Sequence, residues 1–405
     1  MQKLVVSRND DLYEGFADIA TAADGTLVCT YRESLRHGPQ PFSRVVVRRS
    51  GDGGLTWGPR QLVIERDREQ TAAGEGVLNC SRLAACADGT LLLAVDLMYK
   101  DQLQPDPAMN LLFRSADNGA TWDGPHETRI TGGIVPSLKE LSTGELLLGV
   151  TELRTSDGQL SGLEEQQTVY RSSDRGETWE GPYYVPLLDS PPAGGGTWRF
   201  SEGDFAELDD GAVLVYMRED GEGLSGWKSL STDGGRTWSP PYRTEMRSCL
   251  GRPSVGRLRS GEIAITYRFG SGTSTALGLY VETPLEARRF APLDPNNYKT
   301  EYAACRFAFL DNDRAPCADG GYSGWVQLPS GDLYVVNYIT DDAPRAQIRG
   351  YIVGRQDWYL FPEGEIHYYF PADEGEYIHR AQERSRAQYE RVRQTPGSAR
   401  VPTQK

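Results

Sequence analysis

The pattern Ser-x-Asp-x-Gly-x-Thr-Trp occurs four times in this chain: Ser50 to Trp57, Ser115 to Trp122, Ser172 to Trp179 and Ser231 to Trp238. Each copy reads as the end of a β-hairpin. The Asp carboxylate accepts from turn N–H groups, the Gly supplies a positive φ, and the Trp plugs the hairpin against its neighbour. Five residue types repeated at fixed offsets mean stacked equivalent units rather than one irregular core.

A second repeat runs alongside the first. Apolar strands are joined by two-residue turns ending in Gly at Asp24-Gly25, Asp88-Gly89, Thr143-Gly144, Asp210-Gly211, Ser260-Gly261 and Ser330-Gly331. Each of the first four turns is followed by one Asp-bearing box, so a unit holds four strands, two across the Gly turn and two across the box. The last two units keep the first hairpin and lose the box. The expected fold is all-β, a six-bladed β-propeller over residues 1–370, with the segment Leu4 to Ser7 completing the last blade and closing the ring. Residues 371–405 form a short charged C-terminal extension, helical over Glu376 to Arg393 or disordered.

A formal net charge of −14 argues against a nucleic-acid partner, which needs a basic surface. The N-terminus enters a strand-like run with no signal-peptide core, and no window is apolar enough for a membrane span, so the chain as written is expected to be cytoplasmic. The six cysteines lack metal-ligand spacing, and the expectation is free thiols with no bound metal and no cofactor. Oligomeric state is not readable.

In a propeller, ligands bind at the mouth of the central channel, where the first strand of each blade starts and the second ends. Those positions are strongly polar here. First strands bring Asp18, Arg82, Glu202, Arg252 and Tyr322; second strands end on Arg32, Arg218 and Arg268. Arg218 and Arg268 can equally be read as structural ion pairs with neighbours such as Glu219, and Trp198 and Trp227 as sugar platforms or packing.

The four boxes resemble the Asp-boxes of the sialidase superfamily, and residues 13–351 are similar to its six-bladed fold. Boxes specify architecture and lie opposite the site, so any function must come from the rim. There, Gly321-Tyr322-Ser323-Gly324-Trp325 resembles the family's nucleophilic tyrosine segment. Glu202, in Ser201-Glu202-Gly203-Asp204, is similar to its activating glutamate, and Arg218 and Arg32 to two site arginines. Two positions depart. Tyr13-Glu14-Gly15-Phe16 stands where the Arg-Ile-Pro signature is expected, and His37 where the acid/base aspartate is. The resemblance implies an exo-acting enzyme that hydrolyses a terminal acidic sugar, with Tyr322 and Glu202 catalytic and Arg32 and Arg218 binding substrate. His37 is the candidate acid/base in place of the family's aspartate, Arg252 the candidate third arginine, and Arg82 and Asp18 are expected substrate contacts from their places at strand starts. Two alternatives stay open: β-elimination by a uronate-directed lyase on the same scaffold, and a glycan-binding propeller without catalysis.

Overall fold

The structure is a computed structural model that describes residues 1–38, 42–72, 76–98, 109–131, 133–155, 163–192, 196–220, 225–247, 251–269, 275–290 and 306–358. Within them the chain forms six four-stranded antiparallel sheets, arranged as the blades of a propeller. The innermost strands are Tyr13–Thr21, Val77–Ala85, Gly133–Glu140, Phe200–Glu207, Gly251–Arg257 and Gly320–Gln327. Blade six takes its outer strand from Gln2–Ser7, which pairs with Gln347–Val353. Sheet closure therefore joins the two ends of the ring, as expected for a fold that leaves few open edges. The charged segment 371–405 lies outside the described residues, as do Cys249 and Cys305. Cys29, Cys80, Cys86 and Cys317 are free thiols, and no helix among the described residues is long and apolar enough to cross a membrane.

The apolar core is a series of seams between neighbouring blades. Ile19, Leu27, Cys29 and Tyr31 of blade one pack on Tyr334, Val336 and Tyr338 of blade six. Ala84, Leu92 and Leu112 of blade two meet Leu138, Leu146 and Leu148 of blade three. Second strands are covered on both faces, which explains why Leu91–Met98 reads as an almost unbroken apolar run rather than an alternating one.

The boxes are the clamps of these seams. In the first, Asp52 Oδ1 accepts from Ser50 Oγ (2.7 Å) and from the Thr56 backbone N–H (2.9 Å), and the Gly54 N–H donates to Ser50 Oγ (2.9 Å). Trp57 Nε1 then donates to Tyr334 Oη of blade six (3.1 Å). Gly54 is required twice over, because its φ is +88° and an added Cβ would fall 2.0 Å from the Tyr334 ring. The same serine, aspartate and threonine bonds recur around Asp117, Asp174 and Asp233.

Hydrogen bonds from the box threonine, from its hydroxyl and its N–H, and from the box serine hold Asp52, Asp117 and Asp174 at about 2. In Asp233 the same bonds prevail over some burial and reach the same value. A carboxylate depressed when folded contributes stability above its unfolded pKa of ~3.9 and loses it as pH falls through the folded value. Thermal melts should therefore be flat with respect to these groups at neutral pH and fall steeply between pH ~4 and ~2. Replacing all four by Asn should lower the neutral-pH melting temperature and flatten that acid slope. A slope unchanged in the fourfold variant would show that the boxes do not carry it.

Candidate active site

Each inner strand slips register once near its start, between Gly15 and Asp18, Leu78 and Ser81, Ile134 and Ser137, Ser201 and Asp204, Gly251 and Ser254, and Gly320 and Ser323. At five of the six slips one residue adopts positive φ: Phe16 (60°), Val135 (55°), Glu202 (53°), Arg252 (26°) and Gly321 (98°). A bulge re-aims a side chain, and non-glycine residues held at positive φ mark places where the surroundings override local preference. Polar groups of the same ring satisfy the freed N–H groups. Asp96 accepts from the Cys80 (2.6 Å) and Val135 (2.9 Å) N–H groups, Thr151 from Glu202, and Asn337 from Gly321.

Glu202 performs this service for its neighbour, its Oε2 accepting from the Arg252 N–H at 2.8 Å. Its other oxygen accepts a short hydrogen bond from the Tyr322 hydroxyl and an ion pair from Arg218 Nη1 at 3.1 Å. Blades four, five and six thus converge on one phenol–carboxylate pair. Burial opposes charge on Glu202, but Arg218 and Arg268 outweigh it and keep the carboxyl below its ordinary range. Burial, followed by the Glu202 charge, pushes the Tyr322 phenol well above its ordinary value. The resting pair is therefore a neutral phenol donating to an ionised carboxylate.

Two guanidinium groups lie over the Tyr322 ring, Arg252 at 5.3 Å and Arg268 at 5.8 Å from its centroid. They differ in availability. Arg252 is 2% exposed and spans the channel to the carbonyls of Ser81 and Pro136, both at 3.2 Å. Arg268 is partly exposed, and no hydrogen bond ties its guanidinium to any described residue. Arg268 is the accessible cation of blade five and Arg252 the buried one. Room for Arg268 comes from Gly321, where an added Cβ would fall 2.4 Å from Arg268 Cβ. Gly321→Ala should cost about 1–3 kcal/mol from backbone strain alone and displace Arg268, read as a lower melting temperature together with weaker binding of an anionic ligand. Wild-type behaviour in both would refute this packing.

The expectation that Asp18 and Arg82 bind substrate does not fit their positions. Arg82 is 4% exposed and crosses the channel, donating to Asp18 Oδ1 (3.0 Å), the Ser323 carbonyl (3.2 Å) and the Pro253 carbonyl (3.0 Å). Asp18 Oδ2 accepts from the Leu83 N–H at 2.8 Å. The pair ties blades one, two, five and six together below the mouth, Arg82 donating to protein groups through both of its terminal nitrogens. Trp198 and Trp227 are likewise packing residues, nearly buried with Phe200 between and beside them.

Blade one supplies the other wall. Arg32 lies 4.3 Å above the Phe16 ring, bonds Asn79 Oδ1 at 3.2 Å and the His37 carbonyl, and leaves its Nε without a partner. Phe16 stands between His37 (5.0 Å between ring centroids) and Tyr322 (5.2 Å). His37 Nδ1 is 2.9 Å from Asp319 Oδ2 and 3.0 Å from Tyr13 Oη; Tyr13 donates to Asp319 Oδ2 at 2.7 Å, and Tyr338 to Asp319 Oδ1 at 3.0 Å. Tyr13, Phe16, Asp319 and Tyr338 were not singled out from the sequence. The signal for Asp319 was available, three residues before Tyr322. The signal for Tyr13 was Gly15, since a Cβ there would fall 2.6 Å from the Tyr13 ring. Beside Glu202 and Arg218 a cavity of about 250 Å³ opens, lined also by Val135, Thr151, Glu165 and Arg199.

A family model described as a BNR repeat-like domain matches residues 25–290. The chain belongs to this family. As a sialidase-like BNR propeller it is 30% identical over 261 residues to a sialidase of Micromonospora viridifaciens, a match covering 56% of this chain and 37% of that protein. Among solved structures, a protein of unknown function from Dyadobacter fermentans superposes with a TM-score of 0.69 at 20% identity, over 86% of this chain and 97% of that one. The Hadza microbial sialidase Hz136 superposes at 0.62 with 15% identity, over 88% and 69%. These likenesses show the six-bladed propeller fold of the BNR family, and the chain spans little more than a third of the length of the sialidase it matches.

Proposed function

We propose that this BNR propeller is an exo-acting glycosidase that hydrolyses a terminal acidic sugar from a glycan. The observation that carries the reading is the Tyr322 hydroxyl donating to an ionised Glu202 between Arg218 and Arg268. The phenolic oxygen attacks the anomeric carbon while Glu202 takes its proton, and the glycosidic C–O bond breaks with the leaving oxygen protonated by His37. A phenol passing its proton to a neighbour reaches an electron-rich centre without the repulsion that a carboxylate nucleophile feels near an anionic sugar. Water then attacks the glycosyl–tyrosine bond, His37 accepting the water proton and Glu202 returning the first to Tyr322.

The acidic-sugar assignment rests on the guanidinium groups. Arg268 is partly exposed and no hydrogen bond ties its guanidinium to any described residue, and carboxylates suit such a donor through charge-assisted, often bidentate bonds. The test is a screen of purified protein on fluorogenic acidic glycosides and on uronate-containing oligosaccharides. Release of the aglycone with a saturated sugar product supports hydrolysis. An unsaturated uronate product would assign β-elimination instead, and binding without turnover would assign a glycan-binding role.

A further inference from the structure

His37 and Asp319 sit 282 positions apart in sequence and meet at the rim between blades one and six. Asp319 receives three groups at once, with His37 Nδ1 (2.9 Å) and the Tyr13 hydroxyl (2.7 Å) on one oxygen and the Tyr338 hydroxyl (3.0 Å) on the other. Its own segment is anchored by Asp313, which accepts from the Asp319 N–H (3.1 Å) and the Ala315 N–H (2.9 Å). The carboxylate cannot swing away without breaking the hydrogen bonds of two tyrosine hydroxyls. We infer that Asp319 is a positioning residue that fixes His37 as the Nδ1–H tautomer and turns its bare or protonated Nε2 toward the leaving group.

The chemistry of the contacts carries this assignment. Asp319 is ionised. Burial opposes the charge, but the bonds from His37, Tyr13 and Tyr338 overcome it and hold the carboxyl below its ordinary range. An ionised carboxylate only accepts, so the Nδ1 atom facing it must carry a proton. Both Tyr13 and Nδ1 are then donors to the same oxygen, and the 3.0 Å Tyr13–His37 approach follows from sharing that acceptor. Which ring nitrogen of a histidine reacts is set by the bond the other makes. His37 is also half-exposed while Asp319 is three-quarters covered, the arrangement of an outward-facing proton carrier with an inward-facing holder. The role in turnover rests on the glycosidase reading above; the tautomer does not.

Two measurements separate these levels. In full-length protein labelled with ¹⁵N-histidine, with His37 assigned through His37→Gln, the neutral imidazole should show Nδ1 protonated and Nε2 bare. Tyr13→Phe should keep that pattern and Asp319→Ala should shift it toward the Nε2–H form. An Nε2–H form in the wild type, or no change in Asp319→Ala with the fold intact by circular dichroism, overturns the assignment. On acidic glycosides, Asp319→Ala should lower kcat/KM for a sugar aglycone by roughly 100-fold and for a nitrophenyl aglycone, which needs little protonation, by less than about tenfold. Equal losses on both aglycones would show a structural role only. Absence of hydrolysis in the wild type would remove the glycosidase reading and leave the tautomer measurement to decide Asp319.

Discussion

Tyr322→Phe should lower kcat/KM on a terminal acidic glycoside by roughly 10³-fold or more while leaving the melting temperature near that of the wild type. The substitution removes a single oxygen from a ring still packed against Phe16 and Tyr338. It leaves Glu202 with Arg218 and the Arg252 N–H as partners, so the buried charge stays compensated. Glu202→Gln should cost a comparable factor, because an amide cannot take the phenolic proton. The double variant should be little worse than either single one, as expected of groups acting as one unit. Steady-state kinetics on one substrate with all three proteins checks this, and additive losses would contradict a coupled pair.

The second large effect falls on stability. Arg82→Ala strands the Asp18 carboxylate beneath the channel mouth, and Asp18→Ala strands the guanidinium. Removing one member of a buried ion pair costs about 3–5 kcal/mol. Gly324 shows how closely the site is built, since a Cβ there would lie 2.2 Å from Asp18 Oδ1. Paired replacement by apolar residues, Asp18→Leu with Arg82→Met, should recover much of the loss, because the desolvation cost of both charges disappears together. Denaturant titration of the three variants tests the assignment. Wild-type stability with weakened ligand binding in Arg82→Ala would restore Arg82 to the substrate site.

The difference between the legible and the illegible parts is physical. Turn chemistry is local, so Gly25, Gly54 and their counterparts announced six units, and the closing strand near Leu4 followed from the need to cover an edge. Tyr322, Glu202 and Arg218 were placed by their positions at strand ends, and the structure brings them together. Depth was not legible. The bulge at each inner strand moves one residue to the rim and sends the polar side chains beyond it inward, which is why Asp18 and Arg82 face protein while Phe16 and Glu202 face the mouth. Arg252 sits on such a bulge and is buried, whereas Arg268, on a regular strand beside two glycines, stays accessible. Asp319 was missed because its partner lies 282 positions away, and only ring closure makes them neighbours.

The most direct test of the account is to trap the covalent intermediate. An acidic glycoside carrying an electron-withdrawing fluorine next to the anomeric carbon and a good leaving group should glycosylate the enzyme and hydrolyse slowly. Peptide mass spectrometry should then locate one added sugar on Tyr322, absent in Tyr322→Phe. A sugar found on another residue, or rapid turnover with no covalent species and an unsaturated product, would contradict the mechanism.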